Sequence, residues 1–281
     1  MLALENITGG YDATRDILSG ASLKVRRGES VGIIGLNGSG KSTLGKAVMN
    51  MLPRRAGRVM IDGVDVTSFS TSRLASEGIG HLMQGAPVFD QLTVAENLQL
   101  AAHNNKHVLG EATQRLAKTF PKFFTELRHR RADKLSGGER HQLALCLALV
   151  KQAKLLILDE PSAGLDPAAA KALYQTLAKV REETGVTILL VEQNVNLARE
   201  FCDRILVMRE GRLEEAEGLK PKGAENTEAR SELGHRGTNL CVNLCVLLCA
   251  SVFMCQSPCA SPRLCVKFVH KTGNNSFQFD K

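Results

Sequence analysis

The 281 residues, 43% of them hydrophobic, are enough for one large or two small α/β cores and too apolar for a disordered chain. The formal net charge of +7 is uneven, since residues 219–281 hold eight Lys or Arg against four Asp or Glu, and no basic stripe interleaved with aromatics points to a nucleic-acid partner. Only Cys146 and Cys202 lie in the body, which fits a reducing compartment. The first ten residues lack the pattern of a secretion signal and no segment is long enough to span a membrane, so a cytoplasmic location is expected.

In chain order, Leu2–Ile7 and Ala21–Val25 alternate in polarity and predict antiparallel strands with one buried face. Tyr11, between them, either stacks its ring on an adenine or is a strand-end core residue. The apolar run Ser30–Ile34 predicts a strand, and Gly35-Leu36-Asn37-Gly38-Ser39-Gly40-Lys41-Ser42-Thr43 follows it. Leu44, Ala47, Val48 and Met51 then recur at helical spacing until Pro53.

That strand, loop and helix form a phosphate cradle. The glycines Gly35, Gly38 and Gly40, with Asn37 and Ser39, let successive backbone N–H groups turn toward one anion, and the helix start adds partial positive charge. Lys41 is long enough to reach β- and γ-phosphate oxygens, the Ser42 hydroxyl is placed to ligate Mg2+, and Thr43 contacts the α-phosphate. The expectation from these residues is therefore a nucleotide with Mg2+.

Gly57–Val66 predicts a hairpin turning at Asp62-Gly63, Ser72–Glu77 a short helix, and Ile79–Met83 a strand ending at Gln84. That amide can act at magnesium and its water without adding charge, or can be an ordinary loop residue. From about residue 85 to 145 the chain reads as a helical insertion: Thr93 and Glu96 form a capping box, and Glu111–Phe124 is a second helical stretch. Ser136, Gly137 and Gly138 precede the apolar helix Leu143–Val150 and resemble another anion-binding helix start; the alternative is an ordinary capped helix.

Leu155–Leu158 is a fully apolar strand closed by Asp159 and Glu160, the form of a buried central strand whose end faces a ligand. Pleat alternation should send the two carboxylates different ways, Asp159 to the magnesium and Glu160 to the water that attacks the γ-phosphate. Asp166 and Pro167 start a helix with Leu173, Leu177 and Val180 on one face, ending at Gly185. Val186–Val191 is another buried strand, ending in Glu192-Gln193. Asn196–Cys202 is helical, and Arg204–Met208 with Gly211–Leu213 closes the body as a hairpin.

The phosphate loop, Gln84, Leu135–Glu139, Asp159-Glu160 and Ser162–Asp166, in that order, resemble an ABC transporter ATPase subunit over roughly residues 1 to 215, which sets the expected ATPase domain at 1–217. Phe120-Pro121, Arg131-Ala132, Leu135–Glu139 and Val191–Asn194 are similar to the branched-chain amino-acid importer branch, with urea importers close by. The resemblance implies ATP as the nucleotide, and an α/β P-loop NTPase fold with a parallel core sheet, an antiparallel β subdomain and a helical subdomain. It also implies head-to-tail pairing with an identical or homologous ATPase subunit, in which Ser136, Gly137 and Gly138 cap the γ-phosphate held by the other subunit's loop. Separate transmembrane permease subunits and, indirectly, an external solute-binding protein are implied as partners, placing the chain on the inner face of the cell membrane. Gln193 stands where most of the family has a histidine near the γ-phosphate, although this branch commonly has glutamine, and Leu147 stands where many members have arginine. An ATP-dependent regulatory module with little hydrolysis is the alternative.

Residues 218–281 match nothing expected after the closing hairpin and read as an atypical Cys-rich, poorly ordered extension. The spacing of Cys241, Cys245 and Cys249 is compatible with zinc thiolates, but no histidine follows at finger spacing.

Overall fold

Alternating polarity opens the chain with two paired strands. The computed structural model describes residues 1–12, 15–85 and 87–216, so the expectations for 218–281, including the cysteine spacing, lie outside the described residues. β1 (Leu2–Gly10) and β2 (Leu18–Val25) are antiparallel. The chain continues through β3 (Ser30–Ile34) and α1 (Lys41–Val48), then returns as β4 (Arg54–Ile61) along the other edge of β1 and turns at Asp62-Gly63 into β5 (Val64–Asp65). Leu2, Leu4 and Ile7 are all buried although they fall out of strict alternation. The cause is a bulge: register shifts after Leu4, where Asn6 takes φ 50°, put an extra residue of β1 opposite its partner and reset the inward face.

α2 (Thr71–Ser76) leads to β6 (Ile79–Leu82), and α3 (Val94–Ala101) starts on the expected Thr93–Glu96 capping box. α4 (Lys106–Leu116), α5 (Pro121–Phe124) and a 3-10 turn at Ala132–Lys134 complete the helical insertion. Then come α6 (Gly137–Leu149), β7 (Leu155–Asp159), α7 (Pro167–Thr184), β8 (Thr187–Glu192), α8 (Val195–Phe201), β9 (Arg204–Arg209) and β10 (Arg212–Glu215).

Three helices differ from expectation. α1 stops at Val48: Asn50 takes φ 54° and Met51 is 40% exposed, so Met51 continues the helical spacing in sequence only. Glu111–Phe124 is two helices, because Asn105 caps α4 by accepting from the His107 and Val108 N–H groups, and Pro121, which lacks an N–H, opens α5. α6 begins at Gly137, well before Leu143, since Ser136 and Glu139 form a reciprocal capping box there.

The larger sheet has the order β10-β9-β3-β8-β7-β6, parallel from β9 to β6 with β10 antiparallel at one edge. Every residue of β3, β7 and β8 is buried, as both faces are covered. Leu156, Leu158, Ile188 and Leu190 enter a core shared with the insertion, α6, α7 and α8, whereas Leu155, Ile157, Leu189 and Val191 enter a core shared with α1 and the antiparallel sheet. Parallel strands in this order bring the carboxyl ends of β3, β6, β7 and β8 to one rim, where ligands bind in open α/β sheets. Among the described residues no helix is long and apolar enough to cross a membrane.

Candidate functional site

β3 delivers the chain into the phosphate loop under tight packing. A Cβ on Gly35 would stand 2.5 Å from the Met208 carbonyl oxygen of β9, so a side chain has no room there. Gly40, which precedes α1, takes φ 108°, an angle that favours glycine. The Gly211 N–H donates to the Ser39 carbonyl at 3.0 Å and ties the loop to the closing hairpin. Asn37 and Gly38 are exposed at the crest, whereas Ser39 Oγ is buried without a protein partner. Lys41 is buried and donates Nζ to the Gly35 and Leu36 carbonyls, both at 2.9 Å, so its charge is held inside the loop it is expected to serve. Thr43 is buried one turn into α1.

Ser42 Oγ donates to Asp159 Oδ1 at 2.8 Å, joining α1 to the end of β7. Burial holds the Asp159 carboxyl above the usual carboxylate range; Glu160 adds to this, and the Ser42 hydrogen bond, Lys46 and Lys41 oppose it. A buried carboxylate seeking positive charge, with a hydroxyl beside it, is a donor set that fits Mg2+, which takes oxygen ligands and usually only one or two from carboxylates. No group of three or more His, Cys, Asp or Glu side chains gathers to hold a metal among the described residues.

Glu160 lies just past β7 with φ 47°. Its carboxylate therefore departs from that of Asp159 through a left-handed residue, not through the pleat alternation expected from the sequence. It is buried, and both oxygens are engaged: Gln84 Nε2 donates to Oε2 at 2.9 Å and Gln193 Nε2 to Oε1 at 2.7 Å. Gln84 follows β6 and Gln193 follows β8, so three loops of distant sequence converge on one carboxylate.

Tyr11 is 47% exposed, which removes the core alternative. Lys46 of α1 holds it: Nζ donates to the Tyr11 hydroxyl at 3.1 Å and lies 5.1 Å from the ring centroid. Ser136, Gly137 and Gly138 open α6, where Ser136 Oγ accepts from the Glu139 N–H at 3.2 Å and a Cβ on Gly138 would lie 3.4 Å from Ala169. α6 packs on α3, α7 and β6, and the Ser136 hydrogen bonds among the described residues stay within its capping box and the first turn of α6, where its carbonyl accepts from the Arg140 N–H at 2.9 Å. Among the described residues no hydrogen bond joins these three residues to the loop at 35–43.

The sequence reading assigned no role to Glu192, Tyr174 or Lys46. Glu192 is 2% exposed at the end of a fully buried strand. Its oxygens accept from Ser162 Oγ, the Tyr174 hydroxyl at 2.8 Å, and the Gln193 and Asn194 N–H groups at 2.8 and 3.0 Å. The available signal was a charge closing an apolar strand, the same pattern that singled out Asp159.

The sequence profile described as ABC transporter matches residues 18–163. A probable branched-chain amino acid transport ATP-binding protein, LivF of Archaeoglobus fulgidus, is 36% identical over 214 residues, covering 76% of this chain and 90% of that protein. BraG of Pseudomonas aeruginosa, a high-affinity branched-chain amino acid transport ATP-binding protein, is 34% identical over 76% of this chain and 91% of its own. The lipopolysaccharide export system ATP-binding protein LptB of Haemophilus influenzae is 31% identical over 76% and 88%. Among solved structures, the dimeric post-hydrolysis state of the ATP-binding cassette MJ0796, bound to ADP and Pi, superposes with a TM-score of 0.66 at 26% identity, covering 76% of this chain and 97% of that one.

Proposed function

Because the chain belongs to the ABC transporter family, as an ATP-binding subunit that hydrolyses ATP, we propose that it drives uptake of a small polar solute, branched-chain amino acids first, through separate transmembrane permease subunits. The solute class is supported by the names of LivF and BraG and by the pattern Val191-Glu192-Gln193-Asn194. Residues 1–217 form the ATPase unit on the cytoplasmic face of the membrane, and an external solute-binding protein acts indirectly.

The observation that carries the chemistry is the Glu160 carboxylate held between Gln84 and Gln193 beside the Ser42–Asp159 pair. Tyr11 stacks on the adenine. The loop from Gly35 to Gly40 and Thr43 receive the phosphates, which replace the Gly35 and Leu36 carbonyls as partners of Lys41. Ser42 and Asp159 would hold Mg2+, with Gln84 adjacent, and the ion supplies positive charge against the phosphate oxygens. Glu160 accepts a proton from water as water oxygen bonds to the γ-phosphorus and the bond to ADP breaks; the two glutamine amides aim its oxygens. Ser136, Gly137 and Gly138 cap the nucleotide of a second ATPase subunit, a reading supported by the dimeric cassette that superposes on this chain.

The test is transport. Membrane subunits that co-purify with the full chain are reconstituted in vesicles and supplied with leucine, methionine or lipopolysaccharide. ATP-dependent leucine uptake that is lost with Glu160→Gln is expected. Partners that move only lipopolysaccharide, or no uptake of any amino acid, would overturn the import reading.

A further inference from the structure

We infer that Glu192 is a positioning residue that couples the Ser162–Asp166 loop to the catalytic centre, by registering Gln193 against Glu160. This rests on the catalytic reading of Glu160 given above. The chain of contacts is continuous. Ser162 lies in the loop between β7 and α7, and its hydroxyl donates to Glu192 Oε1, which also accepts from the Tyr174 hydroxyl of α7 at 2.8 Å. The other oxygen of Glu192 accepts from the backbone N–H groups of Gln193 and Asn194 at 2.8 and 3.0 Å. The Gln193 side chain then donates to Glu160 at 2.7 Å.

Three features separate this arrangement from ordinary core packing. Glu192 is 2% exposed, and both of its oxygens are occupied by two hydroxyl donors and two backbone N–H donors, so its geometry is fixed from two sides. Burial, with Glu192 next, pushes the Tyr174 hydroxyl above its usual range, so it remains a donor at every physiological pH. The two oxygens also divide the labour, one facing the Ser162 loop and α7, the other facing the turn that carries Gln193 and starts α8 through the Asn194 cap. Displacing Ser162 therefore pulls on the carboxylate that sets the Gln193 backbone. The Ser162–Asp166 loop thereby gains a route to the attacking water that does not pass through β7.

Removing either arm should lower kcat while leaving the KM for ATP near its original value, because the phosphate loop is untouched. Ser162→Ala cuts one arm and spares the buried charge. Glu192→Gln keeps an oxygen for the hydroxyls but presents an amide to two backbone donors, cutting the other arm; Tyr174→Phe is a second probe should that variant not fold. The experiment is a double-variant cycle on the full chain in its transporter complex, measuring ATP turnover and thermal midpoint for Ser162→Ala, Gln193→Ala and the pair. We expect Ser162→Ala to lower kcat about tenfold and to have no further effect once Gln193 is alanine. Effects that multiply independently, a Ser162→Ala enzyme with unchanged kcat, or a loss confined to KM would each overturn the coupling. Glu160→Gln is run alongside: wild-type turnover there would sink the catalytic reading itself, a result the cycle cannot mimic.

Discussion

Ser42 Oγ and Asp159 Oδ1 meet at 2.8 Å between the first turn of α1 and the last residue of β7, two segments separated by more than a hundred residues. The contact sets a buried carboxylate against the phosphate loop, where its charge is costly until a cation arrives. Burial places the native Asp159 pKa above its unfolded value. Its contribution to stability is accordingly fully present below the unfolded pKa and lost as pH rises through the native one. At neutral pH, Asp159→Asn should raise the thermal midpoint of the nucleotide-free protein in chelator by about 2–4 °C, since asparagine can still accept from Ser42, while ATP turnover collapses. Thermal unfolding with and without Mg-ATP reads both effects, and a lowered midpoint in chelator would contradict the burial argument.

Lys41 is expected to carry phosphate affinity. Its ammonium already makes two hydrogen bonds inside the loop, to the Gly35 and Leu36 carbonyls, so it is positioned before nucleotide arrives. Lys41→Ala should weaken ATP binding about a hundredfold, as expected when charge-assisted hydrogen bonds to two phosphates disappear together. Equilibrium titration on a variant shown by circular dichroism to be folded makes the check; unchanged affinity would remove the loop from the binding site.

Glu160→Gln preserves shape and loses basicity. The Gln84 and Gln193 amides can turn to satisfy the new side chain, so ATP affinity should hold while hydrolysis slows about a hundredfold or more. An ATP-bound dimer should accumulate, visible by size-exclusion chromatography with light scattering.

His81 predicts an acid limb of stability. Burial first, and Lys46 second, lower its pKa to about 4, and its Nε2 is buried without a partner. A histidine depressed in the native state contributes stability above its unfolded pKa that is lost as pH falls toward the native value. Unfolding free energy from urea titration should drop by about 2 kcal/mol between pH 7 and pH 5 on this account, and His81→Phe should flatten that slope. An equal slope in the variant would assign the acid limb elsewhere.

Local chemistry was legible in the sequence wherever a short segment encodes its own structure. The apolar run into Asp159, the Thr93 and Asp166 caps and the Asp62-Gly63 turn depend on neighbours a few residues away, and the fold places all of them as read. Helix ends were less legible, because Asn50 and Asn105 act through backbone angle and capping geometry that periodicity does not register.

What only the tertiary structure decided is convergence. Gln84 and Gln193 reach Glu160 from 76 and 33 residues away, and Lys46 holds Tyr11 across 35. Glu192 gathers Ser162, Tyr174 and two backbone N–H groups at a point that composition marks only as a charge after an apolar run. Each segment specifies its own turn and its own buried face. The strand order β9-β3-β8-β7-β6 specifies which loops share a rim, and that order follows from packing two cores on opposite faces of one sheet, a balance spread over side chains from the whole body.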